Sequence, residues 1–324
     1  MQLRKIIPFA LMYMLCAAVY AILERGVIGD NPFYPSTGEP YVFSENALKI
    51  ILASSLLGAF VAFFEIFFWQ NRLTHLSFGP KLILKTAFYI SLMVIFLILL
   101  SFFLNMTFYQ ASFYDPQVVR RVMVFVSTIA FWSTILYISL LTGITLFISQ
   151  ISDHLGLPVF EGLLQGRYYK PRREERIFMF LDLKSSTQIA EELGHIRYFE
   201  LLKKYYAQMS EAIILCRAEV YQYVGDEIIL SWPLARGLKE ANCLRCFFEI
   251  KDSFQDNEAE FRKEFGLMPQ FKAGVHFGEV TTGEIGELKR EVVFSGDVLN
   301  TTARIQSLCN QLEAKLLISA ALLD

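Results

Sequence analysis

Hydrophobic and polar positions divide the chain near residue 152 into two stretches of different character. Before it lie four long apolar runs. Ile6–Leu23 holds 18 residues without a charge, Ile50–Trp69 holds 20 interrupted only by Glu65, Thr86–Leu104 holds 19, and Val122–Ser152 holds 31. About 20 helical residues cross the hydrocarbon of a bilayer, so the pattern predicts a four-helix transmembrane domain over 1–152. Glu24-Arg25 follows the first run where a cleaved leader would show small residues. Arg4, Lys5, Arg72, Lys81, Lys85, Arg167, Lys170, Arg172 and Arg173 flank one side of the spans, and Arg25, Lys49, Arg120 and Arg121 the other. The excess of positive charge on the first side predicts a multi-pass inner-membrane protein with both termini in the cytoplasm. Glu65, about one turn from Trp69, is expected to reach the cytoplasmic headgroups.

A connector over 153–175 follows, broken by Gly156, Pro158, Gly162, Gly166 and Pro171. Its amphipathic piece, Val159–Leu164, could lie on a membrane surface. From 176 to 324 the periodicity alternates between strand and helix. The expected strands are Arg176–Leu183, Val220–Val224, Glu227–Trp232, Phe271–Val280, Glu291–Phe294 and Leu316–Ser319. Helices are expected over Ser185–Arg217 (broken near Gly194), Leu238–Phe265 and Val298–Cys309. This order predicts an α/β ferredoxin-like (βαββαβ) domain behind the helical membrane domain.

Composition sharpens the split. Apolar types make up 54% of the 324 residues and charged types 19%, against about 25% charged in ordinary soluble domains. Residues 1–150 hold only nine Lys/Arg and six Asp/Glu of the chain's 30 and 32. A single soluble domain and a disordered chain are both excluded. The net charge of −2, with no basic face interleaved with aromatics, excludes a nucleic-acid partner. Five Cys without regular spacing are not a disulfide framework, and Cys243-Leu-Arg-Cys246 is a lone CxxC inside a helical pattern.

Two carboxylates carry the candidate chemistry. Asp182 lies at the C-terminal end of the first strand, and Asp226 sits in the hairpin turn between the next two. With no His or Cys beside them they suit Mg²⁺ or Mn²⁺, and two such cations can clamp the attacking and leaving oxygens of a phosphoryl displacement. Lys184, Ser185, Ser186 and Thr187 lead into a helix N-terminus, where free N–H groups favour a polyphosphate; ordinary capping explains the same residue types. Glu227, next to Asp226 on a strand, is expected to point to the opposite sheet face. His276 is expected to be structural, His195 solvated, and Tyr221 and Tyr223 part of the sheet packing.

Four motifs occur in a fixed order: FLDLKSST at 180–187, YVGDE at 223–227, GVHFG at 274–278 and GDVLNTTAR at 296–304. Together they resemble the catalytic domain of class III nucleotidyl cyclases, over about residues 173–324. The resemblance implies that Asp182 and Asp226, with the backbone of Leu183, hold two divalent cations, and that residues 184–187 bind phosphate. It further implies that Asn300 orients the ribose and Arg304 stabilises charge on the α-phosphate, both from the partner protomer of a homodimer. The implied reaction is cyclisation of ATP to 3′,5′-cyclic AMP and pyrophosphate at the membrane. The base-reading positions hold Gln222 and Val293 where adenylate-forming relatives carry Lys and Asp or Thr. Guanylate-forming relatives carry Glu at the first, so ATP is favoured over GTP. The chain stops at Asp324, where family domains continue to a hairpin bearing a phosphate-contacting Lys. The alternatives are a guanylate cyclase, a catalytically silent receptor module with a cyclase fold, and a diguanylate cyclase. The last lacks the helix with Asn300 and Arg304.

Overall fold

The computed structural model describes residues 3–33, 41–69, 72–73, 76–156, 162–163 and 165–323. Of the expected amphipathic piece at Val159–Leu164 only residues 162–163 are described, and several loop prolines (Pro35, Pro40, Pro158) lie outside the described residues. The chain divides into two compact units, Met1–His154 and Leu155–Asp324.

The first unit holds α1 (Leu3–Ile28), α2 (Phe43–Phe64), α3 (Phe78–Tyr109), α4 (Pro116–Ser127) and α5 (Ile129–Leu155). Four stretches are long and apolar enough to cross a membrane: Phe9–Ile28, Phe43–Trp69, Phe78–Thr107 and Ile129–Ser152. The fourth expected run is therefore two helices. Thr128 adopts an extended backbone, its hydroxyl donates to Phe125 O at 2.6 Å and accepts from Phe131 N at 3.3 Å, so it ends one helix and caps the next. The separated α4 is amphipathic and begins at an Asp115 cap that accepts from Gln117 N at 2.8 Å. Arg120 and Arg121 belong to it, not to a span. Gly58 lets α1 and α2 touch: a Cβ there would meet Phe9 O and Tyr13 Cβ at 2.9 Å. Tyr13 ties α1 to α5 through Thr142 Oγ1 at 2.7 Å.

Glu65 departs from expectation. It opens a π-helical turn, Glu65–Trp69, at the end of α2. Its carboxylate forms an ion pair with Lys85 of α3 and accepts from Tyr89 Oη at 3.1 Å. Both charges are nearly enclosed. An enclosed carboxylate within apolar surroundings needs a partner charge, and Lys85, one α3 turn before Tyr89, supplies it.

The second unit is built on a six-stranded sheet: β1 (Arg172–Leu183), β2 (Glu219–Val224), β3 (Glu227–Pro233), β4 (Phe271–Ile285), β5 (Glu291–Ser295) and β6 (Leu316–Ile318). The order is β2-β3-β1-β4-β5, antiparallel throughout, with β6 pairing parallel to β4. β1 starts at Arg172, ahead of the expected Arg176, because it continues to pair with the long β4 as far as Arg172↔Thr282. The helices are α6 (Ser186–Leu193), α7 (His195–Leu215), α8 (Leu234–Leu238), α9 (Asn242–Asp256), α10 (Glu258–Phe265), α11 (Asp297–Gln311) and α12 (Ala320–Leu323). Gly194, at φ +73°, separates α6 from α7.

Strand alternation sorts β1 onto two buried faces. Ile177, Met179, Leu181 and Leu183 enter the main core with Tyr205 and Met209 of α7 and Cys246, Ile250 and Phe254 of α9. Phe178 and Phe180 enter a smaller cluster with Val298 of α11. Asp182 continues this second row. The sheet curls enough for its outer strands to touch: Tyr221 of β2 and Phe294 of β5 have ring centroids 4.8 Å apart.

Candidate active site

Register places the charged groups. Asp182 on β1 lies directly opposite Glu227 on β3 and Lys272 on β4. Side chains directly opposite in antiparallel pairs share a face, so the three form one row across the sheet. Glu227 therefore faces Asp182, contrary to the sequence expectation, which followed its alternation with Asp226; Asp226 is in the turn. That turn needs the positive φ of Gly225, +64°, and is held by Tyr206, whose hydroxyl donates to Gly225 O at 2.9 Å and lies 3.3 Å from Glu227 O.

The hairpin brings the Asp226 and Asp182 carboxyls within hydrogen-bonding reach. Burial, followed by the facing Asp226 carboxyl, raises the Asp182 pKa, while Lys272 opposes the rise. Glu227 is pushed up to about 7, first by burial and then by Asp182 and Asp226. Lys272 Nζ sits 3.3 Å from Asp182 Oδ2 and 3.1 Å from Asn310 Oδ1. Gln306 Nε2 donates to the same Oδ2 at 3.0 Å. Neither Lys272 nor Gln306 was among the sequence candidates. Their only sequence signal was their place in strand and helix periodicity, and no spacing rule ties them to Asp182.

This donor set fits a hard cation. It consists of carboxylate oxygens whose mutual repulsion a divalent ion would relieve, with no thiol or imidazole beside them. Among the described residues no group of three or more His, Cys, Asp or Glu is arranged to hold a metal. Two carboxylates, with water and substrate oxygens filling the remaining positions, is the usual arrangement for Mg²⁺. Leu183, the implied backbone ligand, keeps its side chain in the core.

After Leu183 the chain turns sharply. Lys184 N donates to Gln270 O at 2.7 Å, and Ser185 adopts a left-handed backbone at φ +57°. Ser185 makes no side-chain cap to α6, so capping does not account for the serines. Lys184 and Ser185 line an open cavity of about 450 Å³ with Lys272, Cys309, Asn310 and Glu313. Ser186 is half-buried and Thr187 is exposed.

Asn300 and Arg304 are one turn apart on the exposed face of α11, while Val298, Thr302, Gln306 and Cys309 are buried beneath it. Among the described residues neither the Asn300 nor the Arg304 side chain hydrogen-bonds within the chain, and neither joins Asp182 and Asp226. Gln222 is exposed on β2 beside a bulge; Val293 is half-buried on β5, opposite Gly283 of β4. His276 Nδ1 pairs with Ser319 Oγ at 2.8 Å, burial lowers its pKa, and His195 is exposed. Tyr221 and Tyr223 pack in the sheet against Phe294 and Tyr206. The five cysteines are free thiols.

Residues 168–322 match the model of the adenylate and guanylate cyclase catalytic domain. The chain is 37% identical over 191 residues to adenylate cyclase 2 of Rhizobium meliloti (strain 1021), covering 59% of this chain and 53% of that protein. The chain thus spans about half the length of that curated relative. Two structures of bacterial light-regulated adenylyl cyclases share the fold. One has a TM-score of 0.52 at 22% identity, over 60% of this chain and 58% of the other. The second has a TM-score of 0.50 at 23% identity, over 57% and 55%.

Proposed function

We propose, on the premise that residues 168–322 are a class III nucleotidyl cyclase catalytic domain, that the chain is a membrane-bound adenylate cyclase. It would convert ATP to 3′,5′-cyclic AMP and pyrophosphate in a homodimer anchored by four apolar helices. The observation that carries this reading is the convergence of Asp182 and Asp226 at one end of the sheet, an acidic pair suited to the cations of a nucleoside triphosphate. The 37% identity to an adenylate cyclase supports ATP over GTP. The order of the first four strands, β2-β3-β1-β4, supports a ferredoxin-like core. The excess of Lys and Arg flanking one side of the spans supports cytoplasmic termini and a cytoplasmic catalytic domain.

In this reading Asp182, Asp226 and the Leu183 backbone hold two divalent ions, Mg²⁺ or Mn²⁺. Bound there, the ions would lower the pKa of the ribose 3′-hydroxyl and neutralise charge on the triphosphate. The turn at Lys184–Thr187 and the uncapped N-terminus of α6 receive phosphate oxygens. Asn300 and Arg304 are exposed on α11, and the family resemblance assigns them to the partner's site. There Asn300 positions the ribose, and Arg304 holds the α-phosphate as it becomes five-coordinate. Gln222 and Val293 line the base. An amide can donate and accept, so it can meet the adenine edge, while Val293 excludes water without reading a hydrogen bond.

The test is a product assay. The full chain, reconstituted in lipid with Mn²⁺, is given ATP or GTP and the products are resolved. Cyclic AMP from ATP in clear excess over cyclic GMP supports the reading. Cyclic GMP as the main product makes the chain a guanylate cyclase, and no cyclic nucleotide from either makes it a silent module.

A further inference from the structure

Two side chains meet on one oxygen of Asp182: Oδ2 takes the amide of Gln306 at 3.0 Å and the ammonium of Lys272 at 3.3 Å. The Gln306 contact is built in rather than incidental. Gln306 is buried on α11, and α11 reaches the sheet at that residue because Gly274 has no side chain. A Cβ on Gly274 would lie 2.4 Å from Gln306 N and 2.7 Å from its Cα. Gly274 and Lys272 are two residues apart on β4, opposite Phe180 and Asp182, so the close approach sits one step from the carboxylate. Asn310, one turn beyond Gln306, accepts from Lys272 at 3.1 Å. One helix thus steadies both the carboxylate and its ammonium neighbour.

We propose that Gln306 is a positioning residue that fixes the Asp182 carboxylate for cation binding by holding its Oδ2. The inference rests on the reading of Asp182 as a cation ligand. Gln306 touches neither ion nor nucleotide; it acts through Asp182. Because Gln306 shares α11 with Asn300 and Arg304, it also joins the cation-holding strand of a protomer to the helix assigned to its partner's site. Without the amide only Lys272 holds Oδ2, and cation binding must then order the carboxylate. Loss of such an outer hydrogen bond typically weakens metal affinity about 10–100-fold.

The experiment measures Mn²⁺ binding to the purified full chain by electron paramagnetic resonance, with 3′-deoxy-ATP present so that no cyclisation can occur. Gln306→Met keeps the volume and removes the donor. Gln306→Asn keeps a buried amide but withdraws it by a methylene, which guards against a simple folding failure. Both should weaken Mn²⁺ binding by roughly tenfold or more. The Mn²⁺ concentration giving half-maximal turnover of ATP should rise in parallel, with kcat at saturating Mn²⁺ within about threefold of the wild type. The unfolding midpoint without Mn²⁺ should stay near that of the wild type. Wild-type Mn²⁺ affinity in folded Gln306→Met and Gln306→Asn overturns the proposal. The two readings fail separately: a chain that binds Mn²⁺ through Asp182 but makes no cyclic nucleotide refutes the proposed activity and leaves the Gln306 measurement standing.

Discussion

Gly274→Ala adds one methyl group, and the structure says where it goes. The new Cβ would lie 2.4, 2.7 and 2.8 Å from the N, Cα and Cβ of Gln306. Two of these atoms are helix backbone, so no rotamer change relieves the contact. Restoring ordinary separation moves α11 about 1 Å from β4. Overpacking of this kind costs about 1–3 kcal/mol, which in a domain of this size lowers the Tm by roughly 2–12 °C. The same shift pulls Gln306 from Asp182 and displaces Asn300 and Arg304, and a 1 Å misplacement of catalytic groups can cost on the order of 100-fold in rate. Thermal unfolding of the full chain in detergent, followed by circular dichroism, reads the first effect; cyclic nucleotide production at saturating Mn²⁺ reads the second. Gly143→Ala is the control, because its Cβ would meet only Thr86 Cγ2 at 3.9 Å. Wild-type Tm and rate in Gly274→Ala would refute the claim that α11 is held against β4 by the absence of a side chain.

Three further predictions concern groups whose partners the structure identifies. Lys85→Met strands the enclosed Glu65 carboxylate and should destabilise the membrane unit by about 3–5 kcal/mol, while Glu65→Leu with Lys85→Met recovers most of the loss. Detergent unfolding that finds the double variant worse than the single one contradicts the pairing. Glu227 is raised to about 7 from an ordinary 4.5, so the folded, cation-free chain holds that proton more tightly than the unfolded one. Its contribution to stability is full below about 4.5 and is lost as pH rises to about 7. Glu227→Gln should flatten that part of the stability profile, and an unchanged profile speaks against the row with Asp182. For base choice, Gln222→Lys with Val293→Asp should raise the ATP/GTP ratio of kcat/KM. A wild type that rejects GTP more sharply than this variant places base reading elsewhere.

Legibility in the sequence followed the range of the signal. The first three apolar runs, the helix break at Gly194, the hairpin at Gly225-Asp226 and the strand that carries Asp182 near its C-terminal end are local patterns, and each appears in the structure where the residues put it. The break at Thr128 was hidden because Ser and Thr interrupt hydropathy too weakly, whereas their hydroxyls compete strongly for backbone carbonyls. Glu65 looked solitary because Lys85 reaches it from the next helix. Asp182 and Asp226 could be named from local position, yet Lys272 and Gln306 could not. Their contacts depend on the β1–β4 register and on how closely α11 sits over Gly274, and neither has a local pattern. Glu227 shares a face with Asp182 although it follows Asp226, because Asp226 lies in the turn and strand alternation does not run through it.

The central claim is that Asp182 and Asp226 of one protomer act on a nucleotide together with Asn300 and Arg304 of another. Its most direct test mixes an Asp182→Asn chain with an Arg304→Ala chain after each has been shown inactive alone. A mixed dimer holds one site with both lesions and one with neither, so the account predicts that cyclic AMP production returns, approaching half of wild-type activity per heterodimer. If heterodimers form and the mixture remains as inactive as its parents, the shared-site account is contradicted.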